Sequence, residues 1–457
     1  MAELKRAIGP AQLMLLGIGS MLGAGIYGLV GKAAGVMGGA VWMAFLVAMV
    51  AALLTGVSYA SIASRYPKAG GAAYVAQRAY RAPWLSYLIG LAIVCSGLGS
   101  IATQAKVVAE NLNTLVGLDL GFEIAGAPAG VLAIAIGFLI LVAGLVYRGI
   151  TESLWANAVC TLVETLGLVL IIAVGVRFWG QAELFEAPAG PENPTGALSA
   201  ILILQGSILT FFSFLGFEDM LNVAEEVERP ERTIPVALIG AMIVASVIYM
   251  AISITAVSVV SWRELAEAPG PLKLVIERAA PWFPAMAFTF ITIAAVANTA
   301  LVNYVMGSRL LYGMARQGLL PTVLGRVHRV RQTPHVATGV LLVVVVGLQF
   351  AGDISQLAGA TVLLLLLVFT LVNGALIVLK YREGDLTGCF NAPVFVPALG
   401  AVVCLLMIVA RVQQDAWRSP IIAGAIIAVI LLLYAITRVL TPTGANPIGA
   451  SPCKTGS

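Results

Sequence analysis

The sequence predicts an all-α polytopic membrane protein with about twelve transmembrane helices. Hydrophobic residues make up 60% of its 457 residues and charged residues only 11%, whereas soluble proteins carry roughly 25% charged residues. The apolar residues fall into long runs of about 20, which is the length that a helix needs to cross the hydrocarbon of a bilayer. This composition excludes a disordered or collagen-like chain, and a chain this apolar cannot cover itself in water.

Twelve apolar runs are long enough to cross the membrane. The run at 281–315 is too long for one perpendicular crossing, so we expect it to continue into the cytoplasm. In order, the runs are Pro10–Lys32, Gly38–Ser64, Pro83–Leu112, Gly126–Tyr147, Leu154–Trp179, Ala197–Leu221, Ile234–Val260, Pro281–Ala315, Pro334–Ala351, Ile354–Leu379, Pro393–Val412 and Ser419–Leu440.

The basic residues predict the orientation of these spans. With the N-terminus inside, most of the 26 Lys and Arg residues fall in the inner segments, as the positive-inside rule requires. We therefore expect both termini to be cytoplasmic and the protein to lie in the cell membrane. Residues 1–9 would be a cytoplasmic N-terminus, and the Gly/Pro/Ser-rich residues 441–457 a disordered cytoplasmic tail.

The first span contains a cluster of glycines near its centre. It reads LMLLGIGSMLGAGIYGLVG from Leu13 to Gly31, with Gly23 and Gly25 on either side of Ala24. Glycine costs about 1 kcal/mol per residue inside a helix, so the cluster favours local unwinding. Unwound backbone in mid-membrane needs polar partners, and a bound ligand could supply them. The alternative is close packing of helices through small residues.

The sixth span also contains an interruption, at Gly216, and acidic residues follow it. It reads FFSFLGFEDMLNVAEEVERP from Phe211 to Pro230. A carboxylate within apolar sequence is costly and usually functional, so we favour a functional role for Glu218. Asp219 fits a solvated end of the helix. The charged run from Glu225 to Arg232 fits a solvated helix end whose opposite charges pair.

Two interrupted spans five crossings apart indicate an inverted-repeat transporter. The N-termini of half-helices would present free N–H groups to an anion, and their C-termini would present carbonyl groups to a cation. A ligand that carries both charges close together, such as an α-amino acid, fits both ends. The chemistry of the residues alone predicts a carrier of a zwitterion or of a small ion.

Four segments resemble the amino acid–polyamine–organocation superfamily of permeases. They are GIGSMLGAGIYGLVG at 17–31, SYASIASRYPKAGGAAYVAQRAY at 58–80, FFSFLGFEDMLNVAEEVERPERTIPVAL at 211–238 and ANTALVNYVMGSRLLYGMARQGLLP at 297–321. They occur in the expected order, and the resemblance covers nearly all of the chain. It implies a LeuT-type fold, in which residues 10–180 and 181–380 form two inverted five-helix repeats and residues 381–440 form helices 11 and 12.

The resemblance also implies a substrate site. The backbone N–H groups of Gly23, Ala24 and Gly25 would hold the substrate carboxylate. The carbonyl groups of Met21, Phe212 and Leu215 would accept hydrogen bonds from the α-ammonium group, and the ring of Phe212 would close over the substrate. Ala24 stands where many members of the family have Ser or Thr, so a possible hydroxyl contact is missing here.

Glu164 is a departure from the family pattern. In the alignment that we favour, it stands in the fifth span where many members carry a lysine. Burial of a carboxylate favours its neutral form, so Glu164 could bind and release a proton during transport. There are two alternatives for Glu164: it could bind another cation, or it could form a structural hydrogen bond to a neighbouring helix. Glu164 and Glu218 are therefore our candidate coupling residues, with Phe212 as a gating residue.

The preferred function is a secondary amino acid transporter that works by alternating access and is coupled to protons. The substrate would be neutral, because Glu218 is the only acid expected to face it. The alternatives are an amino acid/amine exchanger or polyamine carrier, and a non-transporting amino acid sensor. We expect no enzymatic activity, no cofactor, no metal, no nucleic acid and no obligatory protein partner.

Overall fold

The structure is a computed structural model that describes residues 4, 6–118, 120–124, 127–189, 196–268, 270–350, 355–414 and 418–440. These residues form fifteen α-helices and one antiparallel pair of two-residue strands, β1 (Glu123–Ile124) and β2 (Ala127–Pro128). The helices are α1 Pro10–Met37, α2 Val41–Arg65, α3 Gly71–Tyr80, α4 Pro83–Val116, α5 Ala129–Arg148, α6 Ile150–Gly175, α7 Ala200–Phe211, α8 Pro230–Val259, α9 Trp262–Glu267, α10 Pro271–Ala279, α11 Ala285–Arg316, α12 His335–Leu348, α13 Ser355–Glu383, α14 Phe395–Gln414 and α15 Arg418–Leu440.

Twelve of these helices coincide with the twelve predicted runs, which confirms an all-α, multi-pass membrane protein. Within the described residues, ten segments are long and apolar enough to cross a membrane, and Pro10–Gly23 and His335–Leu348 are shorter apolar helices. Helix α11 has 32 residues. At 1.5 Å per residue it is about 48 Å long, which exceeds the roughly 30 Å of a bilayer's hydrocarbon.

The three remaining helices, α3, α9 and α10, were not predicted. They are short, at 10, 6 and 9 residues. Helix α3 follows the turn at 66–70, where Gly70 adopts a φ of 88°. All three lie in the connections between spans. A search for long apolar runs does not find helices this short.

The middle of the molecule is built around α1. This helix packs against α6, α7, α8 and α11, while α2 packs against α8 and α4 against α11. Leu13, Leu22 and Ile26 of α1 are fully buried. By contrast, α15 carries exposed apolar side chains such as Ile421 and Leu432, which are 65% and 61% exposed. The apolar surface of such a helix suits contact with lipid.

The predicted break in the first span is present at Gly23. Its φ and ψ angles of −46° and −141° are not helical, and they divide α1 into two parts. A Cβ atom at this position would overlap the hydroxyl of Thr299 in α11. Glycine is therefore required here by the close approach of the two helices.

The predicted break in the sixth span is present as well, and it is more extensive than expected. Helix α7 ends at Phe211, and 3-10 turns follow at Phe212–Phe214, Phe217–Leu221 and Ala224–Glu226. Gly216 has a φ of 119°, and a Cβ atom there would overlap Ser20 of α1. The backbone thus stays unwound up to Pro230. We call residues 212–226 the unwound segment.

Two expectations about acidic residues were wrong. Asp219 is 7% exposed rather than solvated, and Glu226 is fully buried. Glu226 Oε2 accepts a hydrogen bond from Arg309 Nε at 3.0 Å, and Arg309 is itself fully buried. Within the charged run, Glu226 is covered by this pair and by the amides of Ala7 and Ile8, which donate to its carbonyl oxygen, whereas Glu228, Arg229 and Arg232 are exposed. The predicted tail, 441–457, lies outside the described residues.

Candidate functional site

A cavity of about 100 Å³ lies between the two breaks. Helix α1 contributes Ser20, Met21 and Gly25 to it, and the unwound segment contributes residues from Phe212 to Asn222. Helices α4, α11 and α13 complete the cavity. The unwinding of both spans therefore places free backbone groups around one enclosed space, as the two glycine interruptions predict.

Most of the predicted substrate-binding residues meet at this cavity. Met21, Gly25, Phe212 and Leu215 line it. Gly23 is not among the lining residues, because it faces Thr299 of α11. The side chain of Ala24 lies outside the described part of the chain. Glu218 lines the cavity, whereas Glu164 does not.

Tyr249 of α8 joins the two breaks. Its hydroxyl oxygen lies 2.5 Å from the Met21 carbonyl oxygen and 2.7 Å from the Ser213 carbonyl oxygen. The hydroxyl has one proton and can donate to one of these carbonyls at a time. Tyr249 is fully buried, so it holds carbonyl groups of both unwound regions at a fixed distance from each other. The sequence alone gave no signal for this role.

Two carboxylates, not one, line the cavity. Glu218 and Asp219 are 6% and 7% exposed. Glu218 Oε2 accepts a hydrogen bond from the Gly216 amide at 2.8 Å, and Asp219 Oδ2 accepts one from the Ser20 hydroxyl at 3.4 Å. The left-handed conformation of Gly216 turns the backbone so that both acidic side chains face the cavity.

Neutral polar side chains form the opposite side of the cavity. Helix α4 contributes Ser96, Ser100 and Gln104, and α11 contributes Thr299 and Asn303. Asn303 Nδ2 donates a hydrogen bond to the Thr299 carbonyl at 2.8 Å and lies 3.4 Å from Ser100 Oγ. The sequence did not show which of these residues would face the cavity. A helix that is apolar or small on every face has no periodic pattern from which its inward face can be identified.

Glu164 lies in a separate buried cluster between α6, α1 and α11. Beside it, Asn157 Nδ2 donates to Asn298 Oδ1 at 2.9 Å, and Asn298 Nδ2 donates to Thr161 Oγ1 at 2.9 Å. Glu164 is fully buried, its carboxylate oxygens have no donor within ordinary hydrogen-bond geometry in the described part of the chain, and the Asn298 side chain lies beside it. A Cβ atom at Gly19 of α1 would overlap Thr161 and Asn298, so this cluster packs closely against the first half of α1.

A larger vestibule of about 500 Å³ adjoins the cavity. Phe212, Ser100 and Gln104 border both spaces. The vestibule extends to Gly270 and Lys273 in the connection between α8 and α11, which the predicted orientation places outside. Phe212 therefore stands at the boundary between the cavity and the vestibule.

Charged contacts lie near the end of the cavity that is away from the vestibule. The buried pair of Arg309 and Glu226 lies beyond Asn222, and Lys68 Nζ approaches Glu225 Oε1 at 3.9 Å. Burial raises the pKa of Glu225, an effect that Lys68 opposes. Along α11, the vestibule is lined by residues before Thr299 and the cavity by residues up to Leu310, so the pair at Arg309 lies at the end of the cavity away from the vestibule.

A second group of contacts fixes the inner end of α2 to the connection between α13 and α14. Arg65, fully buried, donates to Asp385 Oδ1 at 3.0 Å, and the Tyr66 hydroxyl donates to Glu383 Oε2 at 2.5 Å. Burial, together with Glu383, raises the pKa of Tyr66 to about 12. A hydrogen bond from Lys380 lowers the pKa of Asp385. We call these contacts the inner clamp.

No group of three or more His, Cys, Asp and Glu side chains within the described ranges could hold a metal ion. The chemistry that the cavity offers is the binding of a small charged molecule by backbone N–H groups, carbonyl groups and two carboxylates. No part of it resembles a nucleophile with an activating base.

Known proteins with similar sequences indicate the family of this chain. Residues 8–433 match the amino acid permease family. The chain is 27% identical, over 429 residues, to the branched-chain amino acid permease BcaP of Bacillus subtilis, covering 89% of this chain and 88% of that protein. It is 27% identical to the methylthioribose transporter of the same organism, covering 88% of each.

A plant relative is somewhat more similar but longer. The chain is 30% identical, over 400 residues, to the vacuolar cationic amino acid transporter 2 of Arabidopsis thaliana. This match covers 84% of the present chain and spans 61% of the plant protein's length. The family match extends over nearly the whole chain, from the N-terminal contact at Ile8 to α15, and its members named here are transporters rather than enzymes. The chain therefore belongs to the amino acid permease family.

Proposed function

We propose that this protein is a secondary transporter that moves amino acids across the cell membrane by alternating access, coupled to protons. The observation that carries the proposal is the cavity between two broken helices, which shares Ser100, Gln104 and Phe212 with a larger vestibule. Residues 10–180 and 181–380 would form two inverted repeats of LeuT type, followed by helices 11 and 12 within 381–440. Both termini would be cytoplasmic.

The backbone groups at the breaks would bind the α-amino and α-carboxyl groups of the substrate. The N–H groups of Gly23, Ala24 and Gly25 lie at the start of the second half of α1, where the helix dipole favours an anion. The carbonyl groups of Met21, Phe212 and Leu215 would accept from the ammonium group. Met21, Gly25, Phe212 and Leu215 all line the cavity, which supports this assignment.

In alternating access, the outer side would close at Phe212 and the inner side would then open at the pair of Arg309 and Glu226. Phe212 borders both the cavity and the vestibule, so a rotation of its ring could close the outer side over a bound substrate. The inner side would open when Arg309 separates from Glu226 or when both move together with α11 and the unwound segment. The inner clamp would also rearrange.

Coupling to protons would involve Glu164. A buried carboxylate without a hydrogen-bond partner is costly when ionised, so it would hold a proton until a change in the first-span break admits water or a new partner. Glu164 is fully buried beside a polar cluster that packs against the first half of α1, which supports the assignment. Glu218, on the cavity itself, is the second candidate for a coupling residue.

The preference for neutral substrates, drawn from the sequence, stays a prediction. It assumed a single acid at the site, whereas Glu218 and Asp219 both line the cavity. This observation favours the alternative in which the substrate brings a positive charge, as in an amine or a cationic amino acid. The relatives include a branched-chain amino acid permease and a cationic amino acid transporter, so their names leave the charge of the substrate open.

Uptake into proteoliposomes tests the proposed function. Purified protein would be reconstituted, and uptake of a panel of labelled amino acids would be measured with and without an inward proton gradient. We expect accumulation above equilibrium that depends on the gradient. Uptake that requires amino acid preloaded inside would show an exchanger instead, and the absence of uptake for every amino acid would overturn the proposal.

A further inference from the structure

Two buried polar groups on neighbouring helices lack ordinary hydrogen bonds. The hydroxyl oxygen of Tyr27 in α1 has no hydrogen-bond partner within the described part of the chain, although the residue is only 9% exposed. The carboxylate oxygens of Glu164 in α6 have no donor in ordinary geometry there either. Buried polar groups are normally satisfied, because leaving one unpaired is costly. Two such groups on adjoining helices therefore need an explanation other than packing.

The packing of the helices brings these two groups together. Gly167 of α6, one turn after Glu164, faces Ile291 of α11. One turn away on α11, the ring of Phe288 packs against the ring of Tyr27, with 6.3 Å between their centroids. Side chains of a helix lean towards its N-terminus, which for Tyr27 is the direction of the first-span break. Glu164 lies within electrostatic reach of the Tyr27 hydroxyl.

Tyr27 also connects Glu164 to the larger of the two spaces. Glu164 lines neither the cavity nor the vestibule, whereas Tyr27 lines the vestibule. Of the described residues beside Glu164, which are Tyr27, Tyr249, Cys160 and Asn298, only Tyr27 borders either space. The shortest route from vestibule water to the buried carboxyl group therefore passes Tyr27.

The other groups that face Glu164 are engaged or carry no charge. The Tyr249 hydroxyl lies against the carbonyl oxygens of two unwound regions, and the Asn298 amide donates to Thr161. Cys160 is a free thiol on the same helix. Helices α5 and α10 also pack against α6, and their titratable residues are exposed: Tyr147, Arg148, Lys273, Glu277 and Arg278. The Tyr27 hydroxyl is thus the uncommitted polar group next to Glu164 in the described part of the chain.

We propose that the hydroxyl of Tyr27 passes protons between the vestibule and Glu164. This inference rests on the proposed function, because it takes Glu164 as the residue that is protonated during transport. A hydronium ion in the vestibule would give a proton to the phenol oxygen while the phenol's own proton passes to a carboxylate oxygen of Glu164. A water molecule then remains in the vestibule, Glu164 is neutral, and Tyr27 is unchanged. A hydroxyl group suits this transfer because it accepts and donates at the same time.

The burial of the hydroxyl oxygen restricts when this transfer can occur. In this conformation the oxygen is out of contact with vestibule water, so the ring has to move away from Phe288 before water reaches it. Tyr27 lies in the turn after Gly25, which lines the cavity. A change of the first-span break on substrate binding would therefore move Tyr27 and admit the proton.

Substitution Y27F tests the proposal, because it removes the hydroxyl and keeps the ring that packs against Phe288. Full-length protein would be reconstituted in proteoliposomes, with the labelled amino acid that the wild type takes up best. Uptake driven by an inward proton gradient and substrate exchange at equal pH would be measured on the same preparation. We expect gradient-driven uptake to fall by at least about tenfold, as for loss of a proton-transfer group, while exchange persists. The ratio of the two rates does not depend on the amount of folded protein.

Two further variants show whether Tyr27 and Glu164 act on one path. Y27F/E164Q should lose no more gradient-driven uptake than E164Q alone, because the second change removes a step that is already blocked. Y59F is the matched control. Tyr59 of α2 is also buried, its hydroxyl likewise lacks a partner among the described residues, and it lies beside Glu218 and lines neither space. Y59F should keep the wild-type ratio.

The possible failures separate this inference from the proposed function. Wild-type uptake that ignores the proton gradient would overturn the proposed coupling, and the role of Tyr27 with it. A gradient response in the wild type that is unchanged in Y27F would overturn the role of Tyr27 alone, as would equal losses of uptake and exchange. Melting in detergent gives a readout without transport. Y27F should melt no lower than the wild type, and a marked decrease would show that the hydroxyl has a structural hydrogen bond instead.

Discussion

The hydroxyl of Tyr249 lies 2.5 Å from the carbonyl oxygen of Met21, at the end of the first half of α1. The same hydroxyl lies 2.7 Å from the Ser213 carbonyl oxygen in the unwound segment. A single side chain from α8 therefore links the two places where the membrane helices are broken. Because Met21 and its neighbours line the cavity, a displacement of Tyr249 would change the distance between the two halves of the site.

Substitution Y249F removes this link with little change in volume. We expect a loss of about 1–3 kcal/mol in the free energy of unfolding, because buried carbonyl groups are left without a donor. Substrate affinity should fall as well, since the carbonyl groups would no longer be held in place. Thermal unfolding in detergent and a binding titration measure the two effects. Y381F is the control, because Tyr381 is 80% exposed; equal behaviour of the two variants would contradict this role.

The pair of Arg309 and Glu226 should behave as a unit. Removal of one partner, in E226Q or R309M, leaves the other charge buried alone, and we expect each change to cost about 3–5 kcal/mol of stability. The double variant should recover much of this loss, because no charge is left unpaired. Unfolding of the four proteins in a double-mutant cycle measures the coupling energy. Additive losses would show that the two side chains do not interact.

The separation of this pair also predicts a change in access from the inner side. The single variants should admit a water-soluble thiol reagent from the cytoplasmic side to a cysteine introduced at Asn222, which lines the cavity. The wild-type pair should protect that cysteine. Equal labelling rates with and without the pair would show that the inner closure depends on other contacts.

Glu164 should determine the response of transport to pH. In E164Q the side chain can no longer release a proton, so uptake should cease to increase when the outside is acidified, while exchange of substrate across the membrane persists. The same helix provides a control in E152Q, because Glu152 is exposed in the first turn of α6. Unchanged pH dependence in E164Q would leave Glu164 a structural residue.

The inner clamp predicts that the stability of the protein, as distinct from its transport, depends on pH. The hydrogen bond from Lys380 lowers the pKa of Asp385 in the folded protein. A lowered pKa of an acid contributes stability above the pKa of the unfolded state, and this contribution is lost as the pH falls through the folded value. We therefore expect the melting temperature to decrease when the pH is lowered past about 4, which is near the ordinary pKa of aspartate.

Substitution D385N should weaken this part of the acid dependence. The variant should melt at a lower temperature than the wild type near neutral pH, and the difference should shrink in acid. Melting curves across this pH range measure it. A difference that stays constant with pH would show that ionised Asp385 does not stabilise the clamp.

Sequence was sufficient for the spans and for the two breaks. The twelve apolar runs match twelve helices, and the glycine interruptions match the non-helical Gly23 and the left-handed Gly216. These features are local, because apolar length and glycine content act on the backbone directly. The meeting of Met21, Gly25, Phe212 and Leu215 at one cavity follows from the pairing of the two breaks.

Features that depend on distant contacts were not predictable. Glu226 and Arg309 are 83 residues apart, and each looks like a solvated or membrane-anchoring residue within its own segment. Asp219 looked like a solvated helix end because the unwound segment after Gly216 carries no periodic signal. The role of Tyr249 depends on two carbonyl groups of other helices, which no side-chain pattern reveals.

The most direct test of the account is substrate binding by a variant at Gly25. A Cβ atom there would lie 3.0 Å from the Cα atom of Ser213 in the unwound segment, so Leu would fill the space between the breaks. We predict that G25L remains folded in detergent but shows no shift in melting temperature with amino acids that stabilise the wild type. The control is G137L, since the space around Gly137 of α5 is open. A shift of wild-type size in G25L would show that the substrate binds elsewhere.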